Sequence, residues 1–332
     1  MKLLLLQSWW GNDMNNKGIA LLMSLVLIVL VVFIVINILN TTWVDVSESA
    51  IFRDRALAKI NLISALNYAT ALLVKDAQTN NIDTLRDNWA DKEEISKAFS
   101  EWAGEDVEIF ISDETGKLNI NSLVKQDGQY NANIMNVLLR LLKGPFFKLS
   151  AEDAQNLLDS IKDWIDKDDE PTRFGAESGY YKDLGLKYGA KNSAIDFLEE
   201  LLTVKGVTPE IFYGTGESPG LKDLLRTRGP TTININTAPG EIILALGDNM
   251  TWDAVAAMLD YRLEQGNELG KKDWYKSVPG MAGVALDESI ITTKGELFKV
   301  VVVQRTSATR RNLIALLERK GKDVKILDLK VE

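Results

Sequence analysis

The 332-residue chain contains no cysteine and no histidine. These absences remove thiolate nucleophiles, the usual zinc sites, and every triad or acid-base scheme that runs through an imidazole. Oxygen-ligand chemistry is what remains. The lack of cysteine does not identify a compartment, because a chain of this length can bury enough core to do without disulfides. Positive charge is also scarce: 38 Lys and Arg stand against 47 Asp and Glu, a net charge of -9. No basic stripe is available for phosphate contacts, so nucleic acid is disfavoured as a partner. With 46% apolar and 26% charged residues the chain is neither disordered nor fibrous, and its length suits about two domains.

Residues 19–36, IALLMSLVLIVLVVFIVI, hold one polar residue, Ser24, and no charge stands between Gly18 and Asp45. At about 1.5 Å per residue, roughly 20 such residues cross a hydrocarbon core of about 30 Å. The run is read as a membrane-spanning helix. A cleaved secretory signal usually has a shorter apolar region and a small-x-small pattern after it, and neither applies here.

Ahead of the run, MNNKG at 14–18 is short, polar and basic at Lys17, and the composition turns apolar within one residue. This junction resembles the leader of type IV prepilins and type II secretion pseudopilins, which a prepilin peptidase cuts after the glycine, methylating the new N-terminus. The resemblance implies that Gly18 ends the leader and Ile19 begins the mature chain. The stretch MKLLLLQSWWGND is unusual for such a leader, which makes Met14 a candidate start. Pilins usually carry Glu as the fifth mature residue, where it neutralises the N-terminal amine of the neighbour added before it. Here that residue is Met23. Unpaired charge in lipid is costly, so a subunit without an earlier neighbour needs no such carboxylate. In the secretion family the minor pseudopilin K, placed at the tip, typically lacks it.

Beyond the membrane run, Phe52, Ala56, Ile60, Ile63, Leu66 and Leu73 recur at three- and four-residue steps. They predict an amphipathic continuation of the helix whose apolar stripe lies on a sheet. Strand patterns at 107–120, with a turn at 114–116, and in LFKVVVVQ, NLIALLERKG and VKILDLKV near the C-terminus predict antiparallel hairpins. Between them the pattern is mostly helical. The expected fold is α+β: a type IV pilin-like long helix on an antiparallel sheet, interrupted by a large helical insertion. The expected segments are a leader at 1–18, a membrane helix at 19–39, the amphipathic helix and first strands at 40–120, the insertion at 121–290, and the last strands at 291–332.

The insertion carries a weak internal repeat. Asn119-Ile-Asn-Ser122, VLLRLL and SAEDAQNLLDSI are matched by Asn234-Ile-Asn-Thr237, IILAL and TWDAVAAMLDYR. The two asparagine motifs read as N-caps ahead of apolar helices. The second copy also resembles helix-hairpin-helix modules, including those of DNA-uptake proteins, which bind phosphate through the backbone of a Gly-rich hairpin. Its turn here reads Gly247-Asp-Asn-Met250, and Asp248 would repel a phosphate. The resemblance supports the local fold more than the activity.

Residues 163–181, DWIDKDDEPTRFGAESGYY, place six carboxylates within 15 residues: Asp163, Asp166, Asp168, Asp169, Glu170 and Glu177. So much like charge is relieved either by solvent or by a cation. Calcium is the cation that suits it, taking six to eight oxygen ligands in flexible loops. The EF-hand spacing and glycine are missing. The segment resembles the calcium-binding region of the pseudopilin K family, an aspartate-rich loop leading to Gly-Ala-Glu and tyrosines. On that resemblance Asp166, Asp168 and Glu177 are the strongest ligand candidates, with Asp163 and Asn192 behind them. A glycosidase pair would need two carboxylates across a sugar-sized cleft, and nothing else in the chain points to an enzyme.

The leader glycine without a following Glu, the DWxDxDD...GAE...YY segment and NINTAPG at 234–240 together resemble the general secretion pathway protein K family over nearly the whole chain. The family implies a minor pseudopilin that caps the pseudopilus tip and helps start its assembly for export across the outer membrane. It would bind minor pseudopilins I and J, the prepilin peptidase and the inner-membrane assembly platform. It would sit in the inner membrane as a single-pass protein with its C-terminal region in the periplasm. The rival expectation is a pilus-linked protein that binds DNA through the repeat.

Overall fold

The computed structural model describes residues 10–103, 107–216, 218–281, 283–305 and 310–332, with side chains from residue 18 onward. Residues 1–9 of the expected leader lie outside them. The first element is a helix, α1 (Trp10–Thr79). Its portion from Gly18 onward includes the one stretch among the described residues that is long and apolar enough to cross a membrane. Ile19, Met23 and the apolar side chains up to Leu39 are all exposed, as residues facing hydrocarbon would be.

The chain continues through α2 (Lys92–Ala103), β1 (Val107–Asp113), β2 (Leu118–Asn119), α3 (Ala132–Lys143), α4 (Ala151–Ile165) and α5 (Ser178–Asp183). Next come α6 (Pro209–Tyr213), β3 (Gly214–Thr215), β4 (Ser218–Pro219), α7 (Leu221–Leu224), β5 (Leu225–Arg226), β6 (Ile233–Asn234), α8 (Gly240–Leu246) and α9 (Trp252–Leu263). The last strands are β7 (Ile291–Thr292), β8 (Leu297–Arg305), β9 (Arg310–Lys320) and β10 (Asp323–Val331). One antiparallel sheet has the order β1-β8-β9-β10. The three C-terminal strands stand where their alternation predicts them.

Two separate cores follow from this connectivity. In one, Leu62, Ala65, Leu66, Ala69 and Leu73 of α1 pack on Ile109, Phe298, Val300, Val302, Leu313, Ala315 and Leu317 of the sheet. The other is formed entirely by residues between Leu118 and Ile291. Neighbouring strands β1 and β8 are thus separated in sequence by a body with its own core.

Two expectations are corrected. The buried face of α1 is not the predicted stripe: Leu66 and Leu73 belong to it, Ile63 is half-buried, and Phe52, Ala56 and Ile60 are exposed. Ala65 and Ala69 complete the face, because small side chains let the helix backbone approach the sheet. A search weighted toward large apolar residues selects a neighbouring face instead. Nor does 107–120 form a hairpin. Glu114–Gly116 make a 3₁₀ turn in which the Asp113 carboxylate accepts from the Thr115 amide at 2.8 Å, and β2 pairs in parallel with β5. Asp113 Oδ2 accepts from Asn234 Nδ2 and Thr237 Oγ1, both at 2.8 Å. A Cβ on Gly116 would lie 2.9 Å from the 237–238 backbone. These contacts turn the chain out of the sheet and into the insertion.

The two asparagine motifs are built alike. Each starts at a two-residue strand paired in parallel with a later one, β2 with β5 and β6 with β7. The first asparagine accepts from the amide two residues on, at 3.1 Å in both copies. The other asparagine ties in distant chain: Asn121 Nδ2 donates to Ile195 O and Thr227 O, and Asn236 Nδ2 donates to Leu269 O while its Oδ1 accepts from Trp274 Nε1. The motifs do not cap the following helices, as the sequence suggested. Asn119 caps a 3₁₀ turn at Ile120–Leu123, while α3 starts after Asn131 and α8 after Pro239. Short polar side chains were needed here for tertiary hydrogen bonds.

Candidate metal centre

The site is assembled at the end of α4. Ser150 caps that helix, its hydroxyl accepting from the Asp153 amide at 3.0 Å. Along its buried side Asp159 and Asp163 lie one turn apart, and Asp166 follows just past the last turn. Asp159 is satisfied by the protein: its Oδ1 accepts from Tyr130 Oη at 2.6 Å and Gln155 Nε2 at 2.7 Å, and its Oδ2 from the Phe174 amide at 3.3 Å. The loop after α4 then folds back and brings Glu177 against the other carboxylates.

Asp163, Asp166 and Glu177 are all buried, and one carboxylate oxygen from each lies within 4.8 Å of the other two. The close return of the loop depends on Gly175. A Cβ there would overlap Asp163 Oδ2 and stand 2.8 Å from the Asp159 carbonyl. Both Asp163 oxygens accept from the Thr172 amide at 3.1 Å. Asp166 Oδ2 is paired with Lys162 Nζ, which also donates to Thr172 Oγ1 at 2.9 Å.

The remaining acceptors have no protein donor. Asp166 Oδ1 and both oxygens of Glu177 are buried and accept no hydrogen bond, although a buried carboxylate normally finds donors. Burial, followed by the charges of Asp163 and Asp166, pushes the Glu177 carboxyl up to about 8. Burial also raises Asp163 and Asp166 above the usual carboxylate range. When all three are ionised, the carboxylates facing one ammonium leave an excess of two negative charges. The donor set is entirely hard oxygen and the unmet charge is that of a divalent cation, so these residues fit calcium.

A second carboxylate group provides the contrast. Asp76, Asp83 and Asp87 also bring oxygens within 4.8 Å of one another, but protein donors reach each of the three. Arg319 on β9 pairs with Asp83 Oδ1 and, at 3.1 Å, with Asp76 Oδ2. Asp83 Oδ2 accepts from the Gly295 amide at 2.7 Å, and Asp87 from the Thr84 amide at 2.7 Å and Asn80 Nδ2 at 3.3 Å. That group is a structural ion-pair network.

Of the five residues singled out in the sequence, three meet in the buried cluster: Asp163, Asp166 and Glu177. Asp168 points its carboxylate outward, where Oδ1 accepts from the Glu170 amide at 3.1 Å, and its backbone carbonyl accepts from Asn192 Nδ2 at 2.5 Å. Asn192 sits at φ 50° with its Oδ1 buried and without a donor. Sequence reading missed Asp159, Lys162 and Gly175. The four-residue spacings Asp159 to Asp163 and Lys162 to Asp166 were the available signal for the first two. In the repeat, the α8 to α9 turn is held by Arg140, which donates to Ala245 O and Asp248 Oδ1, both at 2.6 Å.

The last turns of α1 packed on a four-stranded antiparallel sheet, with a helical body inserted between neighbouring strands, define a mixed α+β protein with a candidate cation site. Family models described as type II secretion system protein K match residues 116–213 and 233–293. Both matched segments are thus similar to the type II secretion system protein K family. It is 28% identical to type II secretion system protein K of Aeromonas hydrophila over 55% of this chain and 56% of that one. It is 26% identical to the Klebsiella pneumoniae protein K over 59% and 60%. The chain therefore spans less than two thirds of the length of these curated relatives. A chain of the crystallised GspK-GspI-GspJ complex of the enterotoxigenic Escherichia coli type 2 secretion system superposes with a TM-score of 0.65. That match covers 84% of this chain and 98% of the other at 18% identity, a likeness of fold.

Proposed function

We propose that this protein is a minor pseudopilin of the type II secretion system that caps the pseudopilus tip and helps initiate its assembly in the inner membrane. The observation that carries the reading is the match of protein K family models on both halves of the insertion, in a chain whose fifth residue after Gly18 is Met23. With no carboxylate at that position the subunit has no means of neutralising the amine of an earlier neighbour, which suits the first subunit of a filament. Its partners are the minor pseudopilins I and J, engaged through the apolar α1, and the insertion blocks further addition above it. Calcium held by Asp163, Asp166 and Glu177 orders the loop after α4, with no catalytic step. The prepilin peptidase processes it, and the C-terminal region lies in the periplasm.

Co-expression with the cognate minor pseudopilins tests this directly. A detergent-stable complex containing I and J is expected; a chain that purifies alone while I and J still pair with each other would overturn the tip reading. Processing gives a separate check. Gly18→Leu should accumulate at the unprocessed mass in cells carrying the prepilin peptidase, whereas wild-type chain loses its leader and gains a methyl group at Ile19. Normal cleavage of the variant would defeat the leader assignment. The DNA-binding alternative finds no support in the α8 to α9 turn, where Arg140 and Asp248 pair with each other.

A further inference from the structure

Lys162 does more than fill space beside the carboxylates. It lies on the last turn of α4 with its side chain largely buried, and its ammonium contacts Asp166 Oδ2 and Thr172 Oγ1 and lies 5.8 Å from the Tyr130 ring centroid. The pairing uses only one oxygen of Asp166, so Oδ1 and both oxygens of Glu177, which no protein group donates to, remain free to meet a cation. Lys162 can therefore stay in place when the site is loaded. The three ionised ligand carboxylates, one ammonium and one divalent ion then sum to zero charge, Asp159 beside them being met by its own donors, which lowers the cost of charge in a desolvated pocket. Without the ammonium, the sum would be zero only for a trivalent ion.

We propose that Lys162 is the charge-setting residue of this centre: its fixed ammonium matches the carboxylate cluster to divalent cations and moderates the affinity with which they bind. The inference rests on the metal reading given above. A unit charge within a few ångströms of a bound ion, at an effective dielectric near 20, changes affinity by about tenfold or more for each unit of ionic charge. Removing Lys162 should then tighten calcium binding and tighten a trivalent lanthanide further still.

The test uses the full chain in detergent micelles, titrated with calcium and with terbium. Terbium is followed by luminescence sensitised through Trp164, whose ring packs 5.5 Å from Tyr181 in the same core. Wild type should bind both ions. In Lys162→Met calcium should bind at least about a hundredfold more tightly, and the terbium-to-calcium preference should rise by about tenfold or more. Lys162→Arg keeps the charge and should keep the wild-type preference. Lys162→Met/Asp166→Asn removes the buried pair together, guards against misfolding of the single variant, and restores the charge sum, so its preference should also return to that of wild type. An unchanged preference in Lys162→Met, or weaker calcium binding, would show that Lys162 only positions Asp166 and would overturn the proposal. Absence of binding by wild type would overturn the metal reading itself, and this inference with it.

Discussion

Chelating divalent ions from the full chain in detergent is expected to lower its melting temperature by roughly 5–10 °C relative to protein held at about one hundred times the calcium dissociation constant. Saturation to that degree contributes about 2.7 kcal/mol, and in a domain of this size about 1 kcal/mol moves the midpoint by roughly 2–4 °C. An identical melt with chelator and with calcium would count against the metal. Glu177→Gln sharpens the test because its two effects oppose each other. The calcium response should largely vanish, since a charged ligand is lost. The metal-free variant should nonetheless be more stable than metal-free wild type in alkaline buffer. Glu177 titrates near 4.5 when unfolded and is pushed up to about 8 when folded without metal. The folded state thus holds a proton that the unfolded state has released, and stability of the metal-free protein falls as pH rises from 4.5 through 8. Glutamine cannot ionise, so the variant's melting temperature should lack that part of the slope.

Arg319→Met is expected to be strongly destabilising, at about 3–5 kcal/mol in urea unfolding. The guanidinium is buried on β9, where it donates to the Leu73 and Gly295 carbonyls and pairs with Asp76 and Asp83. It also stacks over Phe298 at 4.6 Å. It thereby joins the end of α1, the loop after it and the sheet. Methionine preserves much of the bulk but leaves Asp83, itself buried, facing Asp76 without its countercharge. Adding Asp83→Asn should recover a substantial part of the loss, because the remaining penalty is that of an orphaned carboxylate. A double variant no more stable than Arg319→Met would place the cost in packing instead.

Local signals identified the elements that one chain segment specifies for itself. The apolar run after Gly18, the alternation in LFKVVVVQ and NLIALLERKG, and the duplicated asparagine motif could all be read in one dimension. Errors appeared where a residue's role depended on distant chain. VEIFISDETGKLNI looks like a hairpin because alternation flanks a turn, yet β1 finds its partner in β8, across the insertion. The α1 face was misassigned because Ala65 and Ala69 look neutral in sequence and become essential only where a helix lies close to a sheet.

The same boundary runs through the candidate metal centre. Sequence alone determined that this chain has an N-terminal apolar run long enough to cross a membrane, lacks imidazole and thiolate chemistry, and concentrates carboxylates in one loop, because composition and spacing are local properties. Only the tertiary structure decided which carboxylates act together. Asp168 belongs to the dense run but faces solvent, whereas Asp163, on the buried side of α4, and Glu177, returned across the space that Gly175 leaves, share one pocket with Asp166. The physical reason is desolvation: a carboxylate costs little in water and much in a core, and whether its oxygens are met by protein donors, as around Arg319, or left for a cation is settled by packing.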